Sequence, residues 1–455
     1  MSKLIIIAFV FSILNSSRAN YLDENLNKVN WNGIEVIWLE DDSLPTYDFI
    51  INFDEGAFGD KNGFYGETQL MFDLMATGTS SFSEKEILEQ LEFYGAGFDT
   101  NITHEFSSMR ISGLVKDIKP TLEMVCHVFK NANYPKAKLK SFKDRKAAEI
   151  KSMVTKHSAL ASLVFRYESL RATGYENPVK GTLDSMSKIT RDDLKERLNY
   201  FNEEVPKRIY IRGPKKSLIV KSIILNECGW KKINKPKSKK EINPKALTNV
   251  LYFVKVPDAN QAQIRIGRTL NSAEVNLGKH ELKSFTSSYL GGGFTSRLVQ
   301  ELRVKKGLTY SASSYVSEQK DYGRAGINTF TKNSSIVEML KSIKSVVNYA
   351  SKNISSDEFE MAKRSIKGNF LLSLESSSSF LQNLQYYDHI GRDYDSIYKF
   401  SNIIDKVSKN DMKKMIDKIF NWNSQVKLVL GDKSLIKVLK DAGYKVVELN
   451  YKDYL

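Results

Sequence analysis

Gly291-Gly292-Gly293-Phe294-Thr295-Ser296-Arg297-Leu298 runs into Gln300-Glu301-Leu302-Arg303-Val304-Lys305-Lys306-Gly307-Leu308-Thr309-Tyr310-Ser311, a segment dense in residues that could do chemistry. A glycine run ahead of a helix can cradle a phosphate. Here the Gly-Lys-Ser/Thr ending and a preceding buried strand are both missing, so a nucleotide loop is set aside. Arg303 and Tyr310 stand seven residues apart. A guanidinium and a phenol both donate hydrogen bonds to a carbonyl or a developing oxyanion. Leu302-Arg303 is expected to close a helix and Tyr310 to begin a strand. Lys305, Lys306 and Gly307 then form a turn that can bring the two side chains to one edge.

Metal chemistry needs ligands at short spacing or brought together by the fold. The five histidines are His104, His127, His157, His280 and His389, no two closer than 23 residues, which excludes any local two-His motif. Cys126 and Cys228 lie 102 residues apart with no CxxC and no nearby His, so a thiolate zinc site and a redox dithiol are excluded too. The two cysteines are expected to be unbridged, on a division of the chain that puts one in each of two repeats. Cys126 sits on an apolar helical run with Leu122, Val125, Val128 and Phe129, where a free Cys is commonly buried.

The Gly-rich turn, Ser296-Arg297-Leu298 and the LRxxxGLxY ending from Leu302 to Tyr310 closely resemble the C-terminal-domain signature of the pitrilysin/insulinase family of zinc peptidases. The resemblance covers both halves of the chain, about residues 24 to 445. It implies that Arg303 and Tyr310 reach into an active-site chamber and hold substrate near its scissile carbonyl. It also implies an inverted HxxEH on a first-half helix, ahead of a Gly-Thr pair. Gly78-Thr79 is present, and counting back puts Gln69, Leu70, Met71, Phe72 and Asp73 at the five motif positions. Both His ligands and the Glu base are therefore missing. Gln69 and Asp73 remain on one helix face at i and i+4, but Gln is a poor zinc ligand and Phe72 cannot take a proton from water. The family's third ligand, a Glu on a later helix, falls near Glu149, which reads as a solvated helix charge.

On this resemblance the chain has no catalytic residue and no metal of its own. It is a non-catalytic partner subunit, with Arg303 and Tyr310 as substrate-binding residues and Gln69, Phe72 and Asp73 as degenerate metal-site positions. It would pair, as a heterodimer, with an HxxEH-bearing homologue that carries the zinc, closing one peptide-degrading chamber. The alternative is a peptidase-fold scaffold with no proteolytic role.

The elements that must position these residues are legible as two similar halves. Ile34 to Leu39 and Tyr47 to Phe53 read as strands and Gly66 to Ala76 as a helix. A second helix opens on a Ser83/Glu86 capping box and stops at Gly95. Ser107 to Leu114 alternates as an antiparallel strand does, and helical patterns fill Ile118 to about Arg171. Strands at Leu251 to Val256 and Ala262 to Arg268, a helix ending near Leu290, and strands at Thr309 to Val316 and Gly323 to Thr331 repeat the order. Leu194 to Met412 and Gly213 to Gly431 share an offset of 218, which points to an internal duplication. The expected fold class is α+β: two homologous domains, each an antiparallel sheet with helices packed on one face, as in the half-clam architecture of these metallopeptidases.

Lys3 and the apolar run Leu4 to Leu14, then small residues at Ser17 and Ala19, have the form of a secretory signal over 1–19. The run is too short for a membrane span of ~20 residues, so export to a periplasmic or secreted location without stable membrane insertion is expected. Residues 20–230 form the first domain, a Lys/Pro-rich stretch at 231–245 the linker, and 246–455 the second domain. The 455 residues carry a formal net charge of +15, mostly as dispersed Lys. No nucleic-acid-binding signature focuses that charge, so peptide substrates rather than nucleic acid are the expected partners.

Overall fold

The computed structural model describes residues 25–215, 219–230, 241–275 and 279–455. The expected signal segment and the first ten linker residues, 231–240, lie outside them.

The first half contributes strands β1 (Leu26–Trp31), β2 (Ile34–Glu40) and β3 (Thr46–Phe53), helices α1 (Glu67–Leu74) and α2 (Glu84–Phe93), and strands β4 (Gly97–Ile102) and β5 (Ser107–Leu114). Helices α3 (Ile118–Asn131), α4 (Lys136–Ser152), α5 (His157–Ser169) and α6 (Arg191–Glu203) follow, then β6 (Lys207–Gly213). The second half gives β7 (Leu251–Lys255), β8 (Gln261–Leu270), α7 (His280–Gly291), a short helix α8 (Arg297–Val299) that widens into a π-type turn at Gln300–Lys305, β9 (Ala312–Glu318) and β10 (Gly323–Lys332). It closes with α9 (Ile336–Ala350), α10 (Ser356–Leu372), α11 (Ser377–His389), α12 (Lys409–Phe420), β11 (Val426–Gly431) and β12 (Val446–Leu449).

The strand orders are β1-β2-β6-β3-β5-β4 and β12-β7-β11-β8-β10-β9. Five strands of each sheet correspond one to one, so the duplication seen at an offset of 218 is a duplication of topology. The helix before each returning strand begins with a capping box, Thr190 with Asp193 and Ser408 with Asp411, at that same offset. The sixth strands differ: β1 joins antiparallel to β2, whereas β12 joins parallel to β7.

Two features depart from the sequence expectation. The sheets are mixed rather than antiparallel, because β6 re-enters beside β2 in parallel register (Val36 opposite Ile209) and β11 does the same beside β7. A parallel pair needs a long crossover, and in each half the helical segment supplies it. The sheets are also covered on both faces. One face of each carries that half's own helices, forming cores around Phe53, Phe72 and Phe129 in the first half and Phe253, Phe285 and Ile416 in the second. The other faces are covered by exchange. α5 of the first half lays Leu160, Val164 and Phe165 on Tyr252, Val254, Leu428 and Leu430 of the second sheet. α11 of the second half lays Phe380, Leu384 and Tyr387 on Ile37, Leu39, Ile50 and Tyr210 of the first. Each of these buried side chains is worth about 1.5–3 kcal/mol, so the two halves are mutually stabilised.

Polar contacts fix the exchange. Arg265 of β8 donates to the Ser158 carbonyl at 2.9 Å and to the Ser162 hydroxyl at 3.0 Å on α5. The Ser377 hydroxyl of α11 donates to Asp41 at 2.7 Å. Where the two halves meet, the Glu105 carboxylate accepts the Lys320 and Asp321 amides at 2.7 and 3.2 Å and pairs with His389 at 2.9 Å.

The cysteines also correct the sequence expectation: Cys126 and Cys228 form a disulfide. Cys228 precedes the linker, so both belong to the first half. The apolar face of α3 packs against residues 220–228, which brings the two Cα atoms to 4.7 Å. Both side chains are buried.

Candidate functional site

The helix at the position of the inverted zinc motif is α1. Its first turn is capped at a distance: the Asp60 carboxylate accepts the Gly66 amide at 2.8 Å, the Thr68 amide at 3.0 Å and the Thr68 hydroxyl at 2.5 Å. These are the orphan donors of a helix N-terminus, where a negative charge is favourable. Leu70, Met71, Phe72 and Leu74 are buried, so α1 is anchored in the core and its orientation is fixed.

On this helix the Gln69 side-chain amide donates to Asp73 at 2.8 Å. The i, i+4 pair is thus closed upon itself. The Lys146 ammonium of α4 lies 3.9 Å from the other oxygen of Asp73 and 3.3 Å from Glu149. Burial pushes the Asp73 carboxyl above its ordinary value, while the Gln69 hydrogen bond and the Lys146 charge pull the other way. Glu149, read from sequence as a solvated charge, is half exposed and shares Lys146 with Asp73. Two carboxylates, one of them also held by the Gln69 amide, therefore share one ammonium.

Phe72 is 2 % exposed, with ring centroids 5.3 Å from Phe201, 5.8 Å from Phe53 and 6.1 Å from Phe129. It is part of the core and presents no polar atom. Gln69, Phe72, Asp73 and Lys146 do not fit zinc, which needs deprotonated nitrogen, sulfur or oxygen ligands and no fixed cation among them.

Three of the five histidines are engaged elsewhere in side-chain contacts, besides His389 on Glu105. His127 contacts the Thr79 hydroxyl at 3.1 Å, His104 is held by Arg166 and the Asn177 carbonyl, and His280 pairs with Glu318 at 2.8 Å. Burial holds His104 down at about 3, so its imidazole is neutral. Among the described residues, no group of three His, Cys, Asp or Glu could hold a metal ion.

The first two glycines of the run have a packing reason, while a Cβ on Gly293 would meet open space. A Cβ on Gly291 would lie 2.3 Å from the Ser314 amide nitrogen, and one on Gly292 would lie 2.5 Å from the Ser288 Cα. Glycine at 291 lets the end of α7 approach β9 this closely, and glycine at 292 lets the chain fold back on the last turn of α7. Downstream, Leu302 is buried and Arg303 exposed. Gly307, at φ 61°, then turns the chain, with its amide donating to the Arg303 carbonyl at 3.2 Å. Thr309 is buried and Tyr310 is 78 % exposed.

Arg303 and Tyr310 thus both leave the surface of the second domain. Arg303 stacks over the exposed Phe294 ring at 5.3 Å, and Tyr310 lies two residues before β9 rather than within it. Neither side chain forms a hydrogen bond or ion pair with another described residue. They stand as free donors for an external carbonyl or carboxylate. The sequence reading missed Lys146, whose partner lies 73 residues earlier on another helix, and the pairing of Arg297 with Glu358 at 2.6 Å.

Residues 188–366, which contain the glycine run, Arg303 and Tyr310, match the family described as the peptidase M16 inactive domain. The second half of the chain thus carries most of the match to the M16 peptidase family. The whole chain is 24% identical to the "Non-peptidase homolog YmxG" of Helicobacter pylori over 90% of its own length and 93% of that protein's. It is 23% identical to the "Uncharacterized zinc protease YmxG" of Bacillus subtilis, over 76% and 84% of the two chains. Its fold is that of the M16 inactive domain from Pseudomonas fluorescens, with TM-score 0.78, 20% identity and coverage of 90% and 98%. A Helicobacter pylori protease structure is similar at TM-score 0.75 and 17% identity, over 89% and 99%. The M16 fold is thus the two-sheet α+β architecture described above.

Proposed function

We propose that this chain is the non-catalytic subunit of an exported M16 peptidase, paired with an HxxEH-bearing homologue whose zinc does the chemistry. The observation that carries this reading is the contrast between the two motif segments. Around α1 the metal positions are rebuilt into a self-satisfied Gln69–Asp73–Lys146–Glu149 cluster backed by Phe72 in the core. In the second domain Arg303 and Tyr310 remain exposed, and their side chains form no hydrogen bond with another described residue. A chain that had lost every role in peptide handling would have no need to hold a free guanidinium and phenol at solvent-facing positions. In the pair, Arg303 and Tyr310 would bind a peptide carbonyl presented at the partner's metal. The buried Cys126–Cys228 disulfide favours an oxidising, extracytoplasmic compartment.

One observation favours the second reading, a scaffold or binding protein without proteolytic role: Arg303 stacks on Phe294, a contact with structural value of its own. The two readings separate on reconstitution. The chain mixed with an HxxEH homologue from the same genome should form a heterodimer that cleaves unfolded peptides, while the chain alone cleaves none. Failure of the mixture to associate would leave the scaffold reading.

A further inference from the structure

A cavity of about 340 Å³ opens between the Arg297–Lys305 helical turn, α9 and the first turn of α10. Arg297, Gln300, Glu301 and Lys305 recur along it at helical spacing, and Arg303 is not among its walls. It is therefore separate from the Arg303/Tyr310 surface, and a ligand held there is independent of the proposed function.

Arg297 is the centre of the cavity's chemistry. Its guanidinium carbon sits 5.3 Å from the Tyr289 ring centroid and 5.1 Å from that of Tyr349. One terminal nitrogen donates to Glu358 at 2.6 Å, and its Nε is buried without an acceptor among the described residues. The Glu358 pairing uses one nitrogen of a guanidinium that carries five N–H donors, so the group lining the cavity keeps donors for a ligand's carboxylate. A second cation, Lys305, stands on the same wall and pairs with Glu301 at 3.3 Å.

The walls thus carry two cations, Arg297 and Lys305, and two carboxylates, Glu301 and Glu358. A dianion such as phosphate would meet both carboxylates, and a simple cation would meet Arg297. A molecule carrying one carboxylate and one ammonium satisfies both signs. The volume lies at the small end of ligand cavities, which run from roughly 300 to 1,000 Å³. Tyr349 and Val346 add an apolar wall.

We infer that this cavity is a binding site for a zwitterionic small molecule, a free amino acid or dipeptide. The ligand's carboxylate is taken by Arg297 and Lys305 and its ammonium by Glu358 and Glu301. The smaller pocket behind the glycine run shares Thr295, Arg297 and Glu358, so occupancy also reaches the end of α7.

The test is calorimetry and NMR titration of the purified full chain with L-leucine, Ala-Leu, N-acetyl-leucine, leucinamide and inorganic phosphate. At least one of leucine and Ala-Leu should bind saturably at about 1 mM or tighter, with N-acetyl-leucine and leucinamide each weaker by roughly tenfold or more. Glu358→Gln, partly exposed and expected to fold, and Lys305→Met, on the surface, should each weaken binding by about three- to tenfold. Equal binding by the blocked analogues, tighter binding of phosphate, or no saturation by either zwitterion would overturn the inference. Unchanged affinity in both variants would do the same.

Discussion

Restoring the inverted zinc motif by Gln69→His, Phe72→Glu and Asp73→His should fail to create a zinc site, for two separable reasons. The first is packing. Phe72 is 2 % exposed among Phe53, Phe129 and Phe201. Removing a buried Phe costs about 3–5 kcal/mol, and a carboxyl placed there adds a further penalty unless it stays neutral. Against a stability of roughly 5–15 kcal/mol, the triple variant is brought to the edge of unfolding. The second is charge. Lys146 stands 3.9 Å from the position-73 carboxylate. Unit charges at 4 Å interact by ~4 kcal/mol near a protein surface, so an ammonium that close to a divalent ion opposes it by about 8 kcal/mol. Urea unfolding followed by tryptophan fluorescence, with metal content by mass spectrometry, separates the two. Phe72→Glu alone should lose at least ~3 kcal/mol. Gln69→His/Asp73→His should fold and stay zinc-free until Lys146→Met is added. Wild-type stability in Phe72→Glu, or stoichiometric zinc in the double variant with Lys146 intact, would refute the reasoning.

Three further outcomes are expected from the same contacts. Burial pushes Glu67 up to about 7 from its ordinary 4.5, with Asp60 adding to the shift and Arg197 opposing it. Its contribution to stability is complete below pH 4.5 and is lost as pH rises through 7. Glu67→Gln should therefore gain up to about 3 kcal/mol on the wild type between pH 5 and 8, and parallel pH profiles would contradict this. The native chain should weigh about 2 Da less before reduction than after, and Cys126→Ser should lower stability by about 2–5 kcal/mol, read by denaturant midpoint. Arg303→Ala and Tyr310→Phe should change stability by less than about 0.5 kcal/mol. In the reconstituted pair each should lower kcat/KM by about tenfold to a thousandfold, and wild-type turnover in both would make the segment structural only.

What the sequence revealed was local chemistry. The Ser83/Glu86 capping box is present with both reciprocal hydrogen bonds, and Met109 and Ile111 of β5 point into the core as their alternation required. The duplication was readable because homologous segments keep their offset. The exchange of α5 and α11 was hidden, since an amphipathic helix shows that it buries a face but not against which sheet. The disulfide was missed by misassigning Cys228, which is brought to α3 by chain folding back within one half. Lys146 was missed because an ion pair between two helices has no spacing rule. Its meaning appears only when α4 is laid beside α1.

The most direct test of the central claim is zinc stoichiometry and peptide cleavage measured on the chain alone, on an HxxEH homologue alone, and on their mixture resolved by size. A heterodimer with one zinc per pair and cleavage by the pair, with no zinc and no cleavage in this chain alone, is the predicted result. One zinc per molecule of this chain, or cleavage by the homologue that is neither joined nor altered by it, would contradict the account.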